Sequence, residues 1–162
     1  QQVVAYLSQQ RWADAQSGRY ALGYHEVPFD GEGHLLQGQR VLPESLPANP
    51  DPVLRAFFDY YRTPRGFHPR SINSSTAWTA TTPMPFFSFP MYANIDMVSP
   101  RPVLLVVGAN AHSRYYSEDA YQAASDPREL AIVPHADHVD LYDRMDKIPF
   151  DKLASFFHLN LS

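Results

Sequence analysis

The sequence predicts an α/β protein with a parallel strand pair near its carboxyl end. Three observations carry this. Val103 to Val107 is a short apolar, largely β-branched run that stops at Gly108, the pattern of a strand covered on both faces in a parallel sheet. Leu130 to Val133 is a second apolar run, broken by Pro134. Between them, Ser117 can cap a helix with Glu118 and Asp119 in its first turn, where the helix dipole favours negative charge. Strand, helix and strand at this spacing form a β-α-β unit, whose strands run parallel with a right-handed crossover.

The preceding elements follow from local signals. Val3, Val4 and Leu7 recur at helical spacing, and Trp12 continues the stripe towards Gly18, a residue suited to a left-handed cap. Tyr20 to Asn49 is mixed, with Gly and Pro throughout, and predicts an excursion with little regular structure. Asp51-Pro52 supplies an N-cap and a proline at the first helical position. Val53, Leu54, Phe57, Phe58 and Tyr61 then form an apolar face, expected to pack in a core rather than to hold a ligand. Pro83 to Met97 is apolar but interrupted by Pro85 and Pro90, which predicts short helices leading to the Val103 strand.

Composition narrows the function classes. The chain has 162 residues, 44% of them apolar, with 20 Phe and Tyr together, so a folded domain with a sizeable core is expected. A net charge of -4 and the lack of any long basic run argue against a nucleic-acid partner. No apolar run approaches the ~20 residues that span a bilayer, so no membrane partner is expected. Cysteine is absent, which excludes a disulfide frame and a thiolate nucleophile in these residues.

His138 is the leading candidate for chemistry. It lies five residues past Val133, beyond the carboxyl end of a strand, where functional side chains gather in open parallel sheets. An imidazole that titrates near neutrality is the usual general base. His135, three residues earlier, reads as a solvated neighbour. His135, Asp137, His138 and Asp140 include metal-ligating types, but not at the spacing of a helical pair, so neither a metal nor another cofactor is expected. Arg114 at the end of the first strand can meet a substrate carboxylate or Glu118. The three arginines and His68 between Arg62 and Arg70 read as a rigid linker tied to backbone carbonyls.

The same residues resemble the end of the α/β-hydrolase fold, in particular its dienelactone-hydrolase-like branch. The resemblance rests on Pro102 to Gly108 as the penultimate strand, on the loop Pro134-His135-Ala136-Asp137-His138 after the last one, and on Ile148 to Leu159 as the final helix. The segment Arg62 to Arg70 and the following Ser71-Ile72-Asn73 add to it. It implies the last two parallel strands with flanking helices over 100–162, preceded by a helical and loop excursion over 1–99 that caps a substrate site. Phe86, Phe87, Phe89 and Tyr92 are then candidate pocket residues, with plain core packing as the alternative.

The resemblance implies a serine hydrolase acting on an ester, lactone or similar acyl bond, with His138 as general base. No G-x-S-x-G nucleophile elbow is found in these residues, and the chain opens on Gln1 rather than Met. The expected partner is therefore an N-terminal half of the same hydrolase that carries the nucleophile, with a small acyl substrate and room for homo-oligomers. The triad acid usually stands three residues past the glycine that ends the penultimate strand, and that position is Ala111. Glu118 and Asp119 are the carboxylates left to orient His138. The alternative is a non-catalytic hydrolase-like module that binds a ligand or partner.

Overall fold

The computed structural model describes residues 1–23, 29–34, 36, 42–75 and 78–161. The chain divides into two compact units, Gln1–Phe89 and Pro90–Ser162. Of the excursion expected over Tyr20 to Asn49, residues 24–28, 35 and 37–41 lie outside the described residues.

In the first unit, helix α1 (Gln2–Ser17) ends on Gly18 at φ 66°, the left-handed conformation that glycine adopts without strain. Leu7 is fully buried. Asp14 is also buried and ties the end of α1 to the next segment, accepting from the Gln10 side chain at 2.8 Å and from the Ala21 backbone N–H at 3.0 Å. Strand β1 (Leu22–Gly23) pairs antiparallel with strand β2 (Trp78–Thr79).

Helix α2 (Pro52–Tyr61) begins as the sequence predicts: Asp51 Oδ1 accepts from the Val53 and Leu54 backbone N–H groups at 2.9 and 3.3 Å, with Pro52 opening the helix. After it, the Arg62 guanidinium donates to the Ser74 carbonyl, and Ser74 Oγ accepts from the His68 backbone N–H at 3.3 Å. Ser74 is fully buried. It belongs to a short helix, α3 (Ile72–Ser75). Arg65 lies over the Tyr60 ring at 5.4 Å. The arginine-rich linker is thus held by carbonyl and aromatic contacts.

The second unit contains the parallel strand pair and the connecting helix that the sequence predicts. Strand β3 (Val103–Gly108) and strand β4 (Arg128–Val133) run parallel, in register from Val103 opposite Arg128 to Gly108 opposite Val133. Helix α4 (Arg114–Ala123) connects them and packs on both strands. Ala120 and Ala124 are buried, and their small side chains let the helix approach the sheet closely. Arg128 closes the carboxyl end of α4. Its guanidinium donates to the Tyr121, Gln122 and Ala124 carbonyls and lies 4.6 Å from the Tyr121 ring centroid. A cation there also opposes the negative end of the helix dipole.

Two boundaries differ from the sequence reading. Helix α4 starts at Arg114, three residues before Ser117, and its N-cap Ser113 makes no capping hydrogen bond. Strand β4 begins two residues earlier than the apolar run, because Arg128 and Glu129 pair in the ladder. Burial departs as well: Val103 to Val106 are only half-buried, whereas Val107 and Gly108 are buried. A pair of strands leaves the far edge of β3 without a described neighbour, so the apolar residues are covered incompletely. Beyond β4 come the short helix α5 (Asp140–Asp143) and helix α6 (Phe150–Asn160). Lys152 of α6 pairs with Glu129 of β4.

Candidate active site

The loop between β4 and α5 holds His138, and its backbone is pinned against the end of β3. Gly108 is the pivot. A Cβ on this residue would meet the Ala136 carbonyl oxygen at 2.2 Å and its carbon at 2.7 Å, so only glycine allows the loop to approach so closely. The same carbonyl accepts from the Asn110 backbone N–H at 3.0 Å. Ala136 and Val139 are buried at 0% and 1% exposure, which plugs both sides of the histidine into the unit. His135 takes φ 55°, uncommon for a residue with a side chain, and this left-handed step turns the chain after Pro134.

A buried carboxylate holds the loop from below. Asp140 Oδ2 accepts from the Asp137 backbone N–H at 3.0 Å and from Lys147 Nζ at 2.5 Å. The same ammonium donates to the His135 carbonyl at 2.8 Å. Buried charges need such pairing to offset their desolvation. Asp137, Asp140 and His135 therefore shape the loop. Among the described residues no group of three or more acidic or histidine side chains is arranged to hold a metal ion.

His138 is half-buried, and both ring nitrogens have partners. Nδ1 lies 2.5 Å from Ser113 Oγ, and Nε2 lies 2.8 Å from the Tyr142 hydroxyl. The Tyr142 ring stands edge-on to the imidazole at 5.6 Å, and the His112 ring is 5.1 Å away on another side. Partial burial holds the imidazole pKa below the ordinary histidine value, and the charge of His112 adds to this. The neutral ring, the form that accepts a proton, is thereby favoured.

The two carboxylates singled out with His138 occupy α4. Glu118 Oε1 accepts from Arg114 Nη2 at 2.7 Å and from Nε at 2.9 Å. Arg114 thus meets Glu118, one of the two partners that the sequence suggests for it. Asp119 is exposed. Tyr142 is the neighbour of His138 that the sequence does not single out, whereas His112 and Ser113 belong to the stretch His112-Ser113-Arg114 at the carboxyl end of the first strand, to which no contact with His138 is assigned. A signal for Ser113 existed: it stands five residues past Gly108, at the carboxyl end of β3. Tyr142 is four residues past His138, a spacing that brings side chains together only once α5 has formed.

The aromatic pocket candidates fall in different places. In the first unit, Phe87 lines a cavity of about 670 Å³ with Val4, Arg11, Thr81, Met84, Pro85 and Ser88. Phe86 and Phe89 are exposed. In the second unit, the Tyr92 hydroxyl donates to the Tyr116 carbonyl at 2.9 Å. No described helix is long and apolar enough to cross a membrane.

The structure is similar to that of GrgF, an α/β hydrolase from Penicillium sp. sh18, with a TM-score of 0.63 and 12% identity over 97% of this chain and 48% of that one. The fold is that of part of an α/β-hydrolase. The resemblance is stronger to the crystal structure of hypothetical protein PA2218 from Pseudomonas aeruginosa, with a TM-score of 0.78 and 47% identity over 98% of this chain and 44% of that one. In sequence, this chain is 48% identical to the uncharacterized protein PA2218 over 161 residues, or 98% of this chain and 38% of the relative. It is 27% identical to the uncharacterized protein YcjY of Escherichia coli over 157 residues, or 95% of this chain and 45% of the relative. The chain thus spans less than half the length of these curated relatives. No protein-family model matches it.

Proposed function

We propose that this chain is the C-terminal part of a serine-type α/β-hydrolase of the dienelactone-hydrolase-like branch. It supplies the general base, and the nucleophile stands on chain outside these residues. The observation that carries this is His138, half-buried at the carboxyl end of the parallel pair with Nδ1 held by a side chain of the preceding βα loop. In this reading Nε2 takes the proton of the serine hydroxyl as it attacks an ester, lactone or similar acyl carbon, then returns it to the leaving group. The nucleophile would displace the Tyr142 hydroxyl from Nε2. The half-exposed apolar strand β3 supports an additional strand at its free edge, since an open apolar edge is an aggregation hazard. The division into an excursion over 1–99 and a core part over 100–162 belongs to the same reading.

The test is to treat the longer protein with a fluorophosphonate, which phosphonylates an activated serine, and to map the modified residue. The expected product carries the label on one serine outside residues 1–162. A label on a serine within 1–162, or turnover of an aryl acetate ester that survives saturating reagent, would overturn the proposal. An unlabelled, inactive protein that still binds acyl ligands would establish the non-catalytic binding module instead.

A further inference from the structure

We infer that Ser113 is the positioning residue of the histidine, taking over the part a carboxylate would play, and that it selects the tautomer of His138 with the proton on Nδ1. The inference rests on the proposed role of His138 as general base.

Four observations point the same way. Ser113 is the N-cap residue of α4, a place where serine usually bonds the free N–H groups of the first turn, yet it makes no such bond. Its hydroxyl instead lies 2.5 Å from Nδ1. The position three residues past Gly108 is the buried Ala111, which has nothing to offer an imidazole. The nearby Glu118 is engaged by both Nη2 and Nε of Arg114. The first βα loop thus presents a neutral hydroxyl to the histidine.

Chemistry then assigns the protons. A neutral imidazole donates through one nitrogen and accepts through the other. The phenol of Tyr142 is a far stronger acid than the alcohol of Ser113, so it is the better donor. Tyr142 O–H donates to Nε2, and Nδ1–H donates to Ser113 Oγ. This leaves the lone pair on Nε2, the nitrogen that must take the nucleophile's proton. A hydroxyl can hold the ring in this tautomer as a carboxylate does. It cannot stabilise the imidazolium by opposite charge, so the histidine stays a weak base with an acid limb at low pH.

The experiment compares Ser113→Ala, Ser113→Thr and Ser113→Asp with wild type in the longer protein, using p-nitrophenyl acetate as probe. Ser113→Ala is expected to lower kcat roughly tenfold, the worth of one neutral hydrogen bond, with KM little changed, while Ser113→Thr restores the rate. Ser113→Asp is expected to move the acid limb of kcat/KM upward by about one pH unit or more. Glu118→Gln and Asp119→Asn are expected to retain wild-type rates. Nitrogen-15 NMR of the imidazole, assigned by its disappearance in His138→Ala, is expected to show a protonated Nδ1 and an unprotonated Nε2.

Wild-type kcat and pH profile in Ser113→Ala, a protonated Nε2, or a loss in Glu118→Gln or Asp119→Asn as large as in His138→Ala would each overturn the inference. If His138→Ala itself leaves turnover intact, it is the hydrolase reading that fails. If His138→Ala is inactive and Ser113→Ala is normal, only the role of Ser113 falls.

Discussion

Replacing His138 with alanine in the longer protein is expected to lower ester turnover by roughly three orders of magnitude or more, the usual cost of removing one member of a nucleophile–base pair. The loss should appear in kcat, because the proton transfer is made in the transition state and not in substrate binding. A residue that merely shaped the pocket would raise KM instead. The wild-type pH profile adds a second check. Burial and the His112 charge hold the His138 pKa low. The base form therefore persists to more acidic pH, and activity is lost only as pH falls through that lowered value. The acid limb of kcat/KM, which reports the free enzyme, should lie below the ordinary histidine range. A limb above that range would mean that a carboxylate, rather than Ser113, faces the ring.

Gly108→Ala is expected to destabilise the second unit by about 3 kcal/mol or more, at the upper end of what overpacking costs. The added methyl would sit 2.2 Å from the Ala136 carbonyl oxygen, and that oxygen is backbone, unable to swing away as a side chain can. Relief requires the whole loop to retreat from β3. The loop is anchored by the buried Ala136 and Val139 and by the Lys147–Asp140 pair, so it resists. Chemical denaturation of the variant measures the loss. The same retreat carries His138 away from Ser113, so turnover should fall more than stability alone explains. A variant as stable and as active as wild type would remove Gly108 from the account of the site.

Much of the fold was legible because it is set by local chemistry. Asp51 followed by Pro52, Gly18 after an apolar stripe, and two apolar runs flanking a helical stretch each act within a few residues of themselves. The start of α4 at Arg114 rather than Ser117 has a different cause. Capping rules assume that a serine at the helix start bonds its own helix, whereas the Ser113 hydroxyl meets a histidine 25 residues away. The partners of His138 depend on how tightly the Ala136 carbonyl can approach Gly108, and on a left-handed step at His135. Neither leaves a pattern in the sequence. Glu118 is an acid close in sequence to the strand end, but Arg114 sits at the i−4 position, where an ion pair forms readily. The half-burial of β3 was not legible either, because an apolar run reports what a strand can bury, not how many strands are there to cover it.

The central claim is that Nε2 of His138 serves a hydroxyl supplied by chain outside these residues. The most direct measurement is a crystal structure of the longer protein, read at that nitrogen. A serine Oγ from outside residues 1–162 is expected within ~3 Å of Nε2, directly or through one water, with the Tyr142 hydroxyl displaced and Ser113 Oγ still on Nδ1. An Nε2 still capped by Tyr142, with no nucleophilic side chain within that reach, would contradict the account.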